Sequence, residues 1–253
     1  MKFAPAMRWA AAVLLASSVA AFGASDKKDK DKAKPTPSVA VDSGAFGIFI
    51  KCQRVATETF NIRQENGVSI IKSQLKETGA SDSASQKSDL QITPTGDLLR
   101  YEWSQASGGS LSVFPANDFL MEKISTSATS KPAEQSFLMP STSSILDNNF
   151  FIHREVLVWR YLASACKQEG GNQKCQQDPA QFGTLVPQDR TSMSVRLELV
   201  GKDKITIRGV DRELLRLSLT GESFEWSLWV DPQDQFKLIR VAIPADNTEV
   251  VRD

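Results

Sequence analysis

Residues Ile145–Cys166 read ILDNNFFIHREVLVWRYLASAC, the one long stretch with helical periodicity in a chain that otherwise alternates like β-strand. Phe151, Val158 and Leu162, with Leu157 and Tyr161 beside them, recur at the spacing of one helix face. Ile152, Val156, Trp159 and Ala163 form a second apolar row, which leaves His153, Arg154, Glu155 and Arg160 for a polar side. Asp147, Asn148 and Asn149 carry side-chain oxygens of the kind that accept from the unpaired N–H groups at a helix start. The predicted helix therefore covers about residues 148–164. About two thirds of its surface is apolar, more than one face against a sheet needs. Two arrangements fit: a core helix lying across a curved sheet, or a helix closing one side of an apolar cavity. A membrane span needs roughly 20 mostly apolar residues, and Arg154, Glu155 and Arg160 interrupt this stretch.

Outward from the helix, the pattern changes to period two. Phe46–Cys52 and Thr57–Gln64 read as strands, Asn66-Gly67 as a tight hairpin turn, and Val68–Glu77 as the returning strand. A small polar stretch over residues 79–88 reads as a loop. Asp89–Thr93 and Leu98–Gln105 flank the turn Pro94-Thr95-Gly96-Asp97. Leu111–Pro115 and Phe119–Ser127 are shorter strands, and the Ser/Thr/Pro-rich residues 128–144 lead into the helix. After it, Phe182–Pro187 resumes strand, and Met193, Val195, Leu197 and Leu199 alternate with polar residues as in a strand with one wet face. Gly201-Lys202-Asp203 is expected to turn the chain. Leu215, Leu217 and Leu219, then Trp226, Leu228 and Val230 with Trp229 opposite, then Phe236–Ile243 and Thr248–Arg252, complete a meander, with Asp231-Pro232-Gln233-Asp234 as a turn. The expected fold is mainly β within the α+β class: a large curved antiparallel sheet or incomplete β-barrel wrapped around one long helix.

The beginning of the chain carries an export pattern. Lys2 and Arg8 supply a positive region, Trp9–Ala20 an uncharged, largely apolar one, and Ala21-Phe22-Gly23 or Val19-Ala20-Ala21 the small residues of a cleavage site. Residues 1–23 are read as a signal peptide, residues 24–42 as a solvated Lys/Asp-rich and then Pro-rich linker, and residues 43–253 as a single β-rich domain. No cysteine follows the cleavage site, so the lipid-anchoring pattern is missing, and no transmembrane span is expected after cleavage. The chain carries 30 basic and 30 acidic residues, so it has no basic field for nucleic acid. The expected localisation is periplasmic or secreted.

Three cysteines fit that compartment. Cys166 and Cys175 flank a polar, Gly-containing loop, and in an oxidising environment the pair reads as a disulfide. Cys52 follows the apolar run Phe46–Ile50 and reads as a buried, inert thiol. Neither spacing nor a neighbouring histidine suits zinc, so no metal site and no cofactor are expected. No phosphate-binding loop, dinucleotide fingerprint, His-Glu-x-x-His or Gly-x-Ser-x-Gly elbow occurs. With one histidine, a Ser-His or Cys-His mechanism would have to run through His153. Asp97 with Glu102 is the acidic pair closest to an acid/base arrangement. Trp103, Trp226 and Trp229 are either core residues or a platform for a sugar or lipid.

Leu146-Asp147-Asn148-Asn149-Phe150-Phe151-Ile152-His153, Val186-Pro187-Gln188, Leu228-Trp229-Val230-Asp231 and Leu238–Pro244 resemble the landmarks of an exported bacterial β-rich family without a settled function. In element order that family is similar to the LolA/LolB-like periplasmic proteins. Arg154 stands where an aromatic residue or histidine is expected, and Cys166 and Cys175 are additional to the pattern. The resemblance implies an incomplete barrel, plugged by helix, that holds an acyl chain. On this basis the chain is expected to bind a lipid or another apolar molecule between sheet and helix, with Phe151, Val158, Leu162, Trp226 and Leu228 as lining residues. The alternatives are a cell-envelope interaction module with a protein partner and no small ligand, and a hydrolase or isomerase acting through His153.

Overall fold

The computed structural model describes residues 38–81, 85–169, 172–176 and 178–253. The expected signal peptide and most of the expected linker lie outside the described residues. The first eight strands are β1 (Val39–Ile50), β2 (Gln53–Glu65), β3 (Val68–Glu77), β4 (Gln86–Ile92), β5 (Leu98–Gln105), β6 (Ser110–Ala116), β7 (Phe119–Ser125) and β8 (Ala133–Phe137). A two-residue strand β9 (Ser144–Ile145) leads into the helix α1 (Ile152–Ala165). The small hairpin β10 (Cys166–Glu169) and β11 (Asn172–Cys175) follows. The chain then runs through β12 (Ala180–Val186), β13 (Thr191–Ile207), β14 (Val210–Thr220), β15 (Glu225–Asp231), β16 (Lys237–Ile243) and β17 (Thr248–Arg252).

Fifteen strands form one sheet in the order β8-β7-β6-β5-β4-β3-β2-β1-β17-β16-β15-β14-β13-β12-β9, and it does not close into a barrel. Every neighbouring pair is antiparallel except β9 with β12. Each run of consecutive strands is a hairpin ladder, and the two runs join where β1 meets β17, with Phe46 opposite Arg252. Alternation puts Ala56, Glu58, Phe60 and Ile62 of β2 on one buried face, together with Leu215, Leu217 and Leu219 of β14 and Leu228 and Val230 of β15. α1 packs on this face and touches both runs: Tyr161 Oη accepts from Leu199 N at 3.0 Å, Trp159 Nε1 donates to Phe236 O at 3.1 Å, and Arg160 Nη1 donates to Gly96 O at 3.4 Å. The helix gives the apolar residues of this face something to pack against.

The opposite face carries a second small core. Leu214, Trp229 and Ile239 are buried there, with Ile205, Ile207 and Ala242 against them. Arg240 lies 4.9 Å over the Trp229 ring, and Trp229 Nε1 donates to Asp203 at 3.0 Å.

Several local expectations are corrected. β13 runs unbroken through Gly201, where the register with β14 shifts, so Gly201 marks a bulge rather than a turn. The chain reverses instead at Arg208-Gly209, both with positive φ. The Ser/Thr/Pro-rich approach to the helix contains β8 and β9, and β4 begins at Gln86 inside the expected loop. β1 begins at Val39, because Asp42 is buried and held by Arg252 and Lys237. Cys52 is exposed and free, in the β1–β2 turn, where Lys51 and Cys52 have φ of 49° and 65°. The apolar run before it is already leaving the core at Ile50, which is 41% exposed. The Asn66-Gly67 turn and the Cys166–Cys175 disulfide are present as expected.

Candidate functional site

The first turn of α1 is enclosed on all sides, so the charged residues there have no wet side to occupy. His153, Arg154 and Glu155 are all buried, which corrects the expectation that they form a polar face. The Asn/Asp run does not cap the helix either. Its N-cap residue is Phe151, with no side-chain cap of its own. The cap comes from β2: Glu58 accepts from Phe151 N at 2.6 Å and from Ile152 N at 3.3 Å, and Ser73 Oγ donates to the same carboxyl at 2.6 Å. A carboxylate at a helix N-terminus is favoured by the helix dipole, but burial dominates here and pushes the Glu58 pKa up to about 7.

Asp147 has a different task. Its carboxylate accepts from Asn149 N at 2.7 Å and from Tyr101 Oη and Gln188 Nε2. Arg154 Nη1 donates to the carbonyls of Asp147 and Phe150, the latter at 2.7 Å. The Arg154 guanidinium sits 5.0 Å from the Phe151 ring and 4.9 Å from the Trp226 ring. Burial brings its pKa down to about 10, with Asp147 and Glu58 opposing the shift. The next residue, Glu155, accepts from Leu238 N at 2.6 Å and from Arg252 Nη1 at 3.1 Å, and Arg252 also binds Asp42. These groups staple the helix to β2, β5, β16 and β17.

His153 is only 1% exposed. Its ring packs edge-on to Tyr101 at 5.6 Å and against Phe150 at 6.0 Å. Burial, with Arg154 adding to it, lowers its pKa to about 3, so the ring is neutral at ordinary pH. A small void of about 20 Å³ reaches it, room for about one water. Asp97 and Glu102 stand apart, beside Arg160 and Arg100 respectively. Trp229 lies on the far face from Trp226, so the three tryptophans form no common platform.

Phe151, Val158, Leu162 and Leu228 are buried in the main core, and Trp226 packs against it beside Phe224 at 4.8 Å. The space between sheet and helix opens beside the second apolar row instead. A cavity of about 600 Å³ lies between α1 and strands β1–β4, walled by Val41, Ile62, Ile71 and Ile92 on the sheet and Val156, Trp159 and Ala163 on the helix. Gln64, Ser69, Thr93, Thr95, Arg160 and Ser164 supply its polar part. Its size and mostly apolar wall are those of a small-molecule pocket. A larger groove of about 780 Å³ crosses the opposite face of β2–β7. It is lined by serines and by charged groups that neutralise one another, such as Lys72 with Asp89 at 3.3 Å.

Among the described residues no helix is long and apolar enough to cross a membrane, and no cluster of His, Cys, Asp and Glu has the arrangement of a metal site. No protein-family model matches the chain, and no curated protein or solved structure matches it either.

Proposed function

We propose that this is an exported protein that binds a lipid or another apolar molecule between its sheet and its helix, as a carrier or sensor. The observation that carries the reading is the 600 Å³ cavity beside Val156, Trp159 and Ala163, open on the helix flank where the rest of the core is filled. The Cys166–Cys175 bridge fits an oxidising compartment, and the resemblance to the LolA/LolB-like group points the same way. The test is organic extraction and lipid mass spectrometry on folded protein recovered from its native compartment. The expected result is one lipid species in stoichiometric amount. An empty extract, together with no uptake of fluorescent fatty acids by the purified protein, overturns the reading.

The second reading is an envelope interaction module. β8 ends the sheet with its outer edge unpaired among the described residues, and an open edge offers backbone groups to a partner strand. Photocrosslinking from Ser136 in intact cells should then trap one defined protein, and a scatter of abundant proteins would count against it.

A further inference from the structure

We propose that the molecule bound in this cavity is a single-chain amphiphile with a carboxylate head, a long-chain fatty acid, and that Arg160 receives the carboxylate. This rests on the apolar-ligand reading above and narrows it. Arg160 is the one charged residue among the described residues that line the cavity; it stands at the polar end formed by Thr93, Thr95 and Ser164, and the rest of the wall is mostly aliphatic and aromatic. Its side chain is only 18% exposed, so the cation is held in the wall rather than extended into solvent.

The guanidinium is fixed from behind. Nη1 donates to Ser144 Oγ at 3.1 Å and to Gly96 O at 3.4 Å, and the group stands 5.8 Å from the Phe182 ring. Gly96 has φ of +87°, and a Cβ there would come within 3.3 Å of Arg160 Cδ, so the turn between β4 and β5 leaves room for the arginine stem. The nearest acid, Asp97, is 4.0 Å from Nη2, outside hydrogen-bond range, and its carboxylate already accepts from Thr95 Oγ1 at 3.0 Å. The bonds found for Arg160 among the described residues therefore use Nη1 and go to uncharged oxygens. The remaining edge of the fork has the donor geometry that a carboxylate matches with two parallel bonds. A wholly apolar ligand would leave this cation with only the 4.0 Å pairing to Asp97 as a counter-charge. A fatty acid supplies the counter-charge and fills the apolar wall with the same molecule.

The experiment is calorimetric titration of delipidated full-length protein with palmitate and with hexadecanol, which has the same chain and no charge. Palmitate should bind more tightly by about tenfold or more, the worth of a charge-assisted pair. Arg160→Gln should remove that preference while hexadecanol affinity stays the same, and Arg160→Lys should restore part of it. Equal affinities in the unmodified protein, or a carboxylate preference that survives Arg160→Gln, overturn the head-group assignment and leave the apolar-ligand reading standing. Failure of both ligands to bind removes both. The comparison in the unmodified protein decides the matter even where the glutamine variant does not fold.

Discussion

Glu58 shows how one residue can be legible in principle and still be passed over. Ala56, Glu58, Phe60 and Ile62 alternate in sequence with Thr57, Thr59 and Asn61, so an acid sits in the apolar row of a strand. What the row cannot reveal is its partner, because Phe151 lies 93 positions away and only the folded sheet brings the helix start over β2. Arg154 and Glu155 read from their spacing as part of a polar side, and only the folded sheet around the helix start buries them. Replacing Glu58 with Ala leaves the N–H groups of Phe151 and Ile152 without acceptors. It should cost about 2–4 kcal/mol, read as a lower urea midpoint with an unchanged slope. Arg154→Met keeps the bulk between Phe151 and Trp226 but removes the cation beside Asp147. Arg154→Ala also opens a cavity and should cost about 3–5 kcal/mol, with the methionine variant clearly milder. Equal losses for the two would mean that the charge, not the packing, sets the effect.

At the scale of elements, turns with positive-φ residues were read correctly where Asn-Gly or Pro-x-Gly marked them. They were misread at Gly201, where a glycine sat inside an alternating strand. Gly201 has no positive φ and open space around its Cα, whereas Gly67 has φ of +75°. Gly201→Ala should thus change stability by less than about 0.5 kcal/mol, and Gly67→Ala should cost about 1 kcal/mol or more, compared by thermal melts of the two variants. The Cys166–Cys175 pair was legible from spacing and loop composition together with the expected oxidising compartment, since nine positions separate two cysteines across a polar loop. Closing a loop of about ten residues is worth about 2–3 kcal/mol in the chain-entropy estimate. A double Cys→Ser variant should lose that much, with the loss of amide protection concentrated in β10 and β11. The residues expected to line a cavity lie in the filled core or against it, and the open space lies beside the other helix row. Periodicity separates rows of a helix, but it does not say which row the sheet leaves uncovered.

Across the whole molecule, buried carboxyls set the response to pH. Burial raises Glu58 and Glu122 to about 7 and also raises Asp147 and Glu155. A carboxyl raised in the folded state favours folding while both states are protonated. That advantage shrinks as the unfolded chain ionises near pH 4.5 and is gone once pH passes about 7. Stability should thus fall between about pH 4.5 and 7, with His153, held neutral by burial, opposing part of the slope below about pH 6.5. Glu122, on β7, has Arg190 from the β12–β13 turn at 3.5 Å as its charged neighbour. Glu122→Gln should flatten part of the slope and raise stability at pH 8 by about 1–3 kcal/mol, measured by urea unfolding across pH. The β class and the meander were legible because hairpins are local. The meeting of β1 with β17 was not, because no local pattern joins residues two hundred positions apart. That junction has a consequence for how the protein is made. A chain emerging in order can zip β2 to β8 and later β12 to β16 as separate ladders. Throughout that time β1 has a bare edge and Glu155 lacks Arg252. The last strand thus acts as a keystone: it fuses two half-sheets and delivers the helix's counter-charge in one late, slow, non-local step. Until it arrives the two ladders have no edge in common.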